Sequence, residues 1–193
     1  MQKIRTFVAI ATSSTLQKRA ASLIEGLRCS DANVSWVKPD NLHLTIKFVG
    51  DVPNTEVSHV CRAVGNAVVG SHGPFAVSYE GMGAFPNRER PKVIWIGVDQ
   101  GSDRLVQLHA SVDNSLSELG FLPERRPYQP HLTVGRLRRP VPDPQLCELM
   151  EQYEDFSAGT VEVSELLVMA SFLGRGGPNY DVMARFRLGV ERL

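Results

Sequence analysis

The stretch Asn41-Leu-His-Leu-Thr-Ile-Lys-Phe-Val-Gly50 carries His43-Leu44-Thr45, and Gln129-Pro-His-Leu-Thr-Val-Gly-Arg136 carries His131-Leu132-Thr133. Only five histidines occur in the 193 residues. At average composition a given His is followed by Leu and then Thr on the order of once in two hundred cases. Two such copies point to an internal duplication with an offset of 88 residues (131 − 43). The same offset carries residues 5–10 onto 93–98, setting Phe7 against Trp95 and Ala9 against Gly97. It carries residues 75–79 onto 163–167, again a strand-like run. Solenoid repeats run about 20–50 residues, so a period this long indicates two similar lobes, each supplying one His-Leu-Thr.

Side chains alternate faces along a strand. That alternation puts His43, Thr45 and Lys47 on one face and Leu44, Ile46 and Phe48 on the other, with Phe48 in the core. His131 and Thr133 share a face opposite Leu132 and Val134. Imidazole and hydroxyl then stand about 6–7 Å apart on each polar face. One such pair is an ordinary exposed sheet face. Two at equivalent positions of two lobes can face one cleft. There, a neutral imidazole takes a proton from an attacking oxygen, and a charged one gives a proton to a leaving oxygen. Two threonine hydroxyls can donate to the free oxygens of a phosphate between them.

Charge and composition narrow the setting. The formal net charge is zero, so no global field attracts nucleic acid and any anion site must be local. Cys29, Cys61 and Cys147 are odd in number and form no C-x-x-C, which fits a reducing cytoplasm. No H-E-x-x-H or Cys/His cluster suggests a metal, and no G-x-S-x-G suggests a serine nucleophile. The glycine-rich Gly174-Arg-Gly-Gly-Pro178 does not follow G-x-G-x-x-G, so no dinucleotide site is expected. No cofactor or metal is expected. No signal-peptide core and no membrane span is expected either, and the chain reads as a cytoplasmic monomer.

The hydrophobic pattern predicts strands over residues 4–11, 36–37, 42–49, 75–80, 93–98, 131–137, 161–170 and 180–188. It predicts helices over 15–28, 53–69, 102–119 and 142–153. Leu16, Ala20, Leu23, Ile24 and Leu27 form the first apolar stripe; Leu105, Leu108, Val112, Leu116 and Leu119 form the third. Residues 81–92, rich in Gly, Pro and Arg, read as a loop and a lobe boundary. The expected fold is α+β: two pseudo-symmetric lobes of mainly antiparallel sheet, helices outside, and a central cleft. Residues 1–193 read as a single bilobed domain with lobes at 1–86 and 87–193, between which strands are free to cross.

The paired H-L-T strands, R-x-F-V-A-I, N-L-H-L-T-x-x-F-x-G, P-x-V-x-W-x-G-V and R-x-Y-x-P-H-L-T-x-x-R together resemble the RNA 2′,3′-cyclic phosphodiesterases. These belong to the two-histidine phosphoesterase superfamily and were also described as 2′-5′ RNA ligases. The resemblance runs from Arg5 to the Gly177-Pro178-x-Tyr180 element and the final strand. It implies hydrolysis of 2′,3′-cyclic phosphates on RNA ends or nucleotides to 2′-phosphates. It also implies His43 as proton donor and His131 as proton acceptor. Tyr128-Gln129 departs from the Phe-Arg common in that family, leaving Arg125, Arg126 or Arg136 to hold phosphate.

Arg136 has the wrong parity to share the face of His131 unless Gly135 marks a bulge. Arg125, Arg126, Arg136, Arg138 and Arg139 read either as a solvated loop or as a surface for RNA phosphates. Arg88, Arg90 and Lys92 read likewise, more weakly. His59, His72 and His109 read as surface or capping residues. Phe7 and Trp95, each followed two residues later by a small residue, are candidates to line the cleft and stack on a base. Ordinary core aromatics would give the same pattern. Two rival functions remain: 2′-5′ ligase or phosphodiesterase activity on another nucleotide, and a nucleotide- or RNA-binding module without turnover. Two intact titrating groups argue against the module.

Overall fold

β-Branched and apolar residues dominate Lys3–Ala11, which forms strand β1. The computed structural model describes residues 2–30, 32–69, 72–138, 142–174 and 177–189. After β1 come α1 (Ser14–Leu27), β2 (Val34–Trp36), β3 (His43–Pro53), α2 (Val57–Val68) and β4 (Phe75–Phe85). The second half gives β5 (Val93–Val98), α3 (Ser102–Ser117), β6 (His131–Leu137) and α4 (Pro144–Gln152). The chain closes with β7 (Ser157–Val163), β8 (Glu165–Gly174) and β9 (Gly177–Arg187).

Local chemistry sets the helix ends. Ser13 caps α1 by accepting from the Leu16 N–H, and Asp143 caps α4 by accepting from the Leu146 N–H, with Pro144 in the first turn. The whole predicted stripe of α1, from Leu16 to Leu27, is buried. Each fully buried Leu or Ile contributes about 1.5–3 kcal/mol. In α3 the stripe holds only to Leu116. The helix stops at Ser117, Gly120 turns at φ +87°, and Leu119 is exposed rather than packed.

Among the described residues the nine strands form one sheet with every pairing antiparallel. Outward from the centre, one arm runs β6, β5, β4, β7 and the other β3, β1, β8, β9, with β2 beside β6. Each motif strand lies next to the strand that opens its own half of the sequence. The third strand of each arm comes from the other half: β4 flanks β5, and β8 flanks β1. The helices follow suit, α1 packing with α4 and α2 with α3. The two-lobed α+β architecture is thus present, with its third strands exchanged. At the centre, β3 and β6 share the single register pair Leu44↔Leu132, both side chains fully buried. The sheet opens there, and the opening is the cleft.

Three sequence expectations change. Residues 161–170 are two strands, β7 and β8, in different arms of the sheet. The break falls at Ser164, whose carbonyl accepts from the Leu188 N–H, and no Gly or Pro marks it. The loop expected at 81–92 begins later, because β4 runs on to Phe85. Gly81, at φ +74°, sits where the β4–β5 register shifts, and a Cβ on Gly83 would lie 2.3 Å from the Trp95 ring. These glycines serve a bulged strand under an indole, not a loop. The third repeated segment is also offset differently. Met169 lies opposite Phe7 and Gly83 opposite Trp95, so β4 and β8 correspond at 86 residues (169 − 83), not 88.

Candidate active site

The central cleft, about 590 Å³, is bordered by both motifs. His43, Thr45, His131 and Thr133 all line it. The Leu44↔Leu132 register turns His43 toward Thr133 and Thr45 toward His131 across the central strand pair. Each imidazole is held the same way. His43 Nδ1 bonds the Asn41 carbonyl at 2.8 Å, and His131 Nδ1 bonds the Gln129 carbonyl at 2.8 Å. A carbonyl only accepts, so Nδ1 carries the proton and Nε2 is left to exchange one.

Both ring systems are braced by aromatics. His43 lies 4.8 Å from Phe7 and 5.1 Å from Tyr180, centroid to centroid. His131 lies 5.0 Å from Phe85 and 6.3 Å from Trp95. Phe7 and Trp95 therefore stand beside the histidines, not beneath the helices. Phe7 lines the cleft with its ring against His43 and only 3% exposed. Trp95 borders a separate recess beyond His131, with Gly97 and Gln129. Burial lowers the pKa of both histidines. The carbonyl bonds oppose that shift, and the Arg136 charge adds to it.

Arg136 reaches the cleft because β6 bulges. Its pairing with β5 steps from Ile94↔Gly135 to Trp95↔Thr133, leaving Val134 unpaired. The extra residue reverses parity, so Arg136 is exposed on the face of His131 and Thr133. The first motif bulges at the same place. Pairing with β1 steps from Val8↔Lys47 to Ala9↔Thr45, leaving Ile46 unpaired. Here the result overturns two expectations. Lys47 is turned under the sheet, 2% exposed, where it forms an ion pair with Asp113 of α3 and donates to the Leu122 carbonyl at 3.2 Å. Phe48, expected in the core, is 43% exposed in the cleft. Alternation assumes an unbroken ladder, and an unpaired residue inverts the faces beyond it until, in β3, a second shift between Phe48 and Gly50 restores them.

Sequence reasoning passed over Arg5, Asn41 and Tyr180 as site residues, yet all three line the cleft. Burial raises the Tyr180 pKa against the pull of Arg136 and Arg5, so its phenol stays a donor at neutral pH. Among the described lining residues Arg5 and Arg136 are the charged ones, and none of them is an acid. The other candidates lie elsewhere. Arg125, Arg126 and Arg138 are exposed and are not lining residues, and Arg139 falls outside the described residues. Arg88 is structural, bonding the Met82 carbonyl and Glu154, while Arg90 and Lys92 are exposed. His59 is exposed, but His72 and His109 are buried rather than superficial. His72 bonds Ser111 at 2.9 Å, and His109 stacks on Tyr128 at 4.3 Å. Among the described residues no three His, Cys, Asp or Glu side chains gather as a metal site, and no helix is long and apolar enough to cross a membrane.

The sequence and the fold have known counterparts. The family model described as LigT like Phosphoesterase matches twice, over residues 10–95 and 96–180. The chain belongs to the LigT-like phosphoesterases. Each match contains one His-Leu-Thr motif, in keeping with the duplication. Among relatives of this family, the RNA 2′,3′-cyclic phosphodiesterase of Methanothermobacter thermautotrophicus is 36% identical over 186 residues, covering 96% of this chain and 100% of that protein. The protein of the same name from Aquifex aeolicus is 30% identical over 190 residues, covering 98% and 100%. The crystal structure of TT0787 of Thermus thermophilus superposes with a TM-score of 0.75 at 25% identity, covering 97% and 100%.

Proposed function

We propose that this LigT-like phosphoesterase hydrolyses 2′,3′-cyclic phosphates on RNA ends or nucleotides to 2′-phosphates. One observation carries the reading: two His-Thr pairs, each imidazole fixed through Nδ1, face a cleft in which the charged residues among the described lining, Arg5 and Arg136, are cationic. The names of its relatives agree. The phosphate sits between the motifs, its free oxygens accepting from Thr45 and Thr133 and facing Arg136. His131 Nε2 removes a proton from water as the water oxygen attacks phosphorus. His43 Nε2 delivers a proton to O3′ as the P–O3′ bond breaks. A P–OH bond forms, and O3′ leaves as a hydroxyl. The donor and acceptor roles follow the family resemblance. We place the enzyme in the cytoplasm as a monomer, with residues 1–193 as one bilobed domain.

Side chains supply both proton transfers and the charge stabilisation, so turnover needs no divalent ion. Incubation with 2′,3′-cyclic AMP in EDTA should yield the 2′-phosphate at the untreated rate. Loss of turnover in EDTA, restored by a divalent ion, would rule this mechanism out; a 3′-phosphate product would reverse the leaving oxygen.

The pH profile follows from the site. One histidine must be charged and the other neutral, so kcat/KM traces a bell. Burial and Arg136 hold both pKa values below 6.5, so the bell centres on the acid side of 6.5. Bound phosphate favours both imidazolium forms, so the kcat profile lies at higher pH than that of kcat/KM. Arg136→Gln removes a positive neighbour from both rings and should move both limbs of kcat/KM to higher pH as activity falls. Limbs that stay in place would separate Arg136 from the histidines.

A further inference from the structure

The bulge in β3 makes an exchange that solvation alone disfavours. It buries a lysine and lifts a phenylalanine into water: Lys47 is 2% exposed and Phe48 43%. The exposed ring is not bare, because the Arg5 guanidinium lies 4.8 Å from its centroid. Arg5 and Phe48 both line the cleft. Their place along it is set by register. Ala11 lies opposite His43, Ala9 opposite Thr45, Phe7 opposite Phe48 and Arg5 opposite Asp51. Arg5 and Phe48 thus form the end of the cleft farther from His43. With the bulge absorbing one residue, on the order of 13 Å of strand separates Phe48 from His43.

The duplication sharpens the contrast. Phe48 stands 88 residues before Arg136, at the equivalent bulge, yet one position offers a charge and the other a flat apolar face. A mononucleotide 2′,3′-cyclic phosphate carries one phosphate, which the His-Thr pairs and Arg136 hold. Arg5, the other cation among the described lining residues, then meets no phosphate unless the ligand has another phosphodiester. An aromatic face beside a cation is what a single-stranded nucleotide needs: a surface for its base and a counter-charge for its backbone.

We propose that Arg5 and Phe48 form a subsite for the nucleotide preceding the cyclic end of an RNA strand, the base on the Phe48 ring and the linking phosphodiester at Arg5. This rests on the cleft binding RNA ends, and it makes the enzyme selective for RNA termini over free cyclic mononucleotides.

Two paired measurements test it. One is kcat/KM for a dinucleotide and a mononucleotide ending in 2′,3′-cyclic phosphate. The other is calorimetric affinity for the corresponding 2′-phosphate products, which reads binding apart from turnover. Wild type should favour the dinucleotide in both. Phe48→Ala should cut that preference roughly five- to hundredfold, the worth of one base–aromatic stack. Arg5→Gln should flatten the log–log salt dependence of dinucleotide binding by about 0.7. An unchanged preference in Phe48→Ala overturns the subsite. So does an equal loss for both ligands, because Phe48 would then serve the cyclic nucleotide's own base. A protein that prefers the dinucleotide product yet hydrolyses neither cyclic ester refutes the hydrolase reading and leaves the subsite standing.

Discussion

His43→Ala and His131→Ala should each lower kcat/KM for 2′,3′-cyclic AMP by roughly 10²–10⁴, the usual worth of a general acid or base. The size follows from how the rings are held. With Nδ1 given to the Asn41 or Gln129 carbonyl, Nε2 is the only ring atom left to move a proton. Alanine replaces it with a gap that water fills without direction. In the proposed mechanism both transfers belong to one displacement at phosphorus, and the two residues then act as a unit. The double variant should therefore lose far less than the product of the two single losses. The rings are only half-buried, so both variants should remain folded by circular dichroism. Near-wild-type turnover in either folded variant would remove that histidine from the chemistry.

The duplication was legible because it repeats a rare tripeptide, and because Phe7 and Trp95 keep the same offset. Each then proved to stand beside the histidine of its own half. The exchange of third strands was not legible. Nothing in an apolar run states its partner, and β4 and β8 suit either arm by composition. Only pairing across the sheet shows that β8 joins β1 and β4 joins β5.

Parity was the weakest guide beyond the motifs. It held from His43 to Ile46 and from His131 to Val134, then failed in both strands at the same repeated place. In β6 the failure was signalled by Gly135, whose missing Cβ would lie 2.7 Å from Val34 and 2.8 Å from Trp36. In β3 the bulged position holds Lys47 instead, and a lysine in a strand reads as solvent-facing. The partner that makes its burial tolerable, Asp113, lies on a helix of the other half. Pairing at that sequence distance leaves no local trace, so the swap of Lys47 and Phe48 appears only in three dimensions.

That buried pair carries the second large effect. Asp113→Ala should destabilise the fold by about 3–5 kcal/mol, because it leaves an ammonium group beneath the sheet without its counter-charge. Lys47 is 2% exposed, and its remaining partner would be the Leu122 carbonyl. One carbonyl dipole does not replace a carboxylate. Water reaches the aspartate more readily, its side chain being 15% exposed, which places the loss toward the lower end of that range. Removing both charges is a different experiment. Lys47→Met with Asp113→Leu keeps similar volume without leaving either charge stranded, and should be close to neutral or mildly stabilising. Urea unfolding distinguishes the cases: the midpoint should fall sharply in Asp113→Ala and recover in the double variant, with the slope m unchanged. At about 2–4 °C per kcal/mol for a chain of this size, the single variant should melt roughly 6–20 °C lower. A loss under about 1 kcal/mol would mean that water already solvates Lys47 in the folded protein. The bulge would then be held by backbone pairing alone, not by the ion pair beneath it.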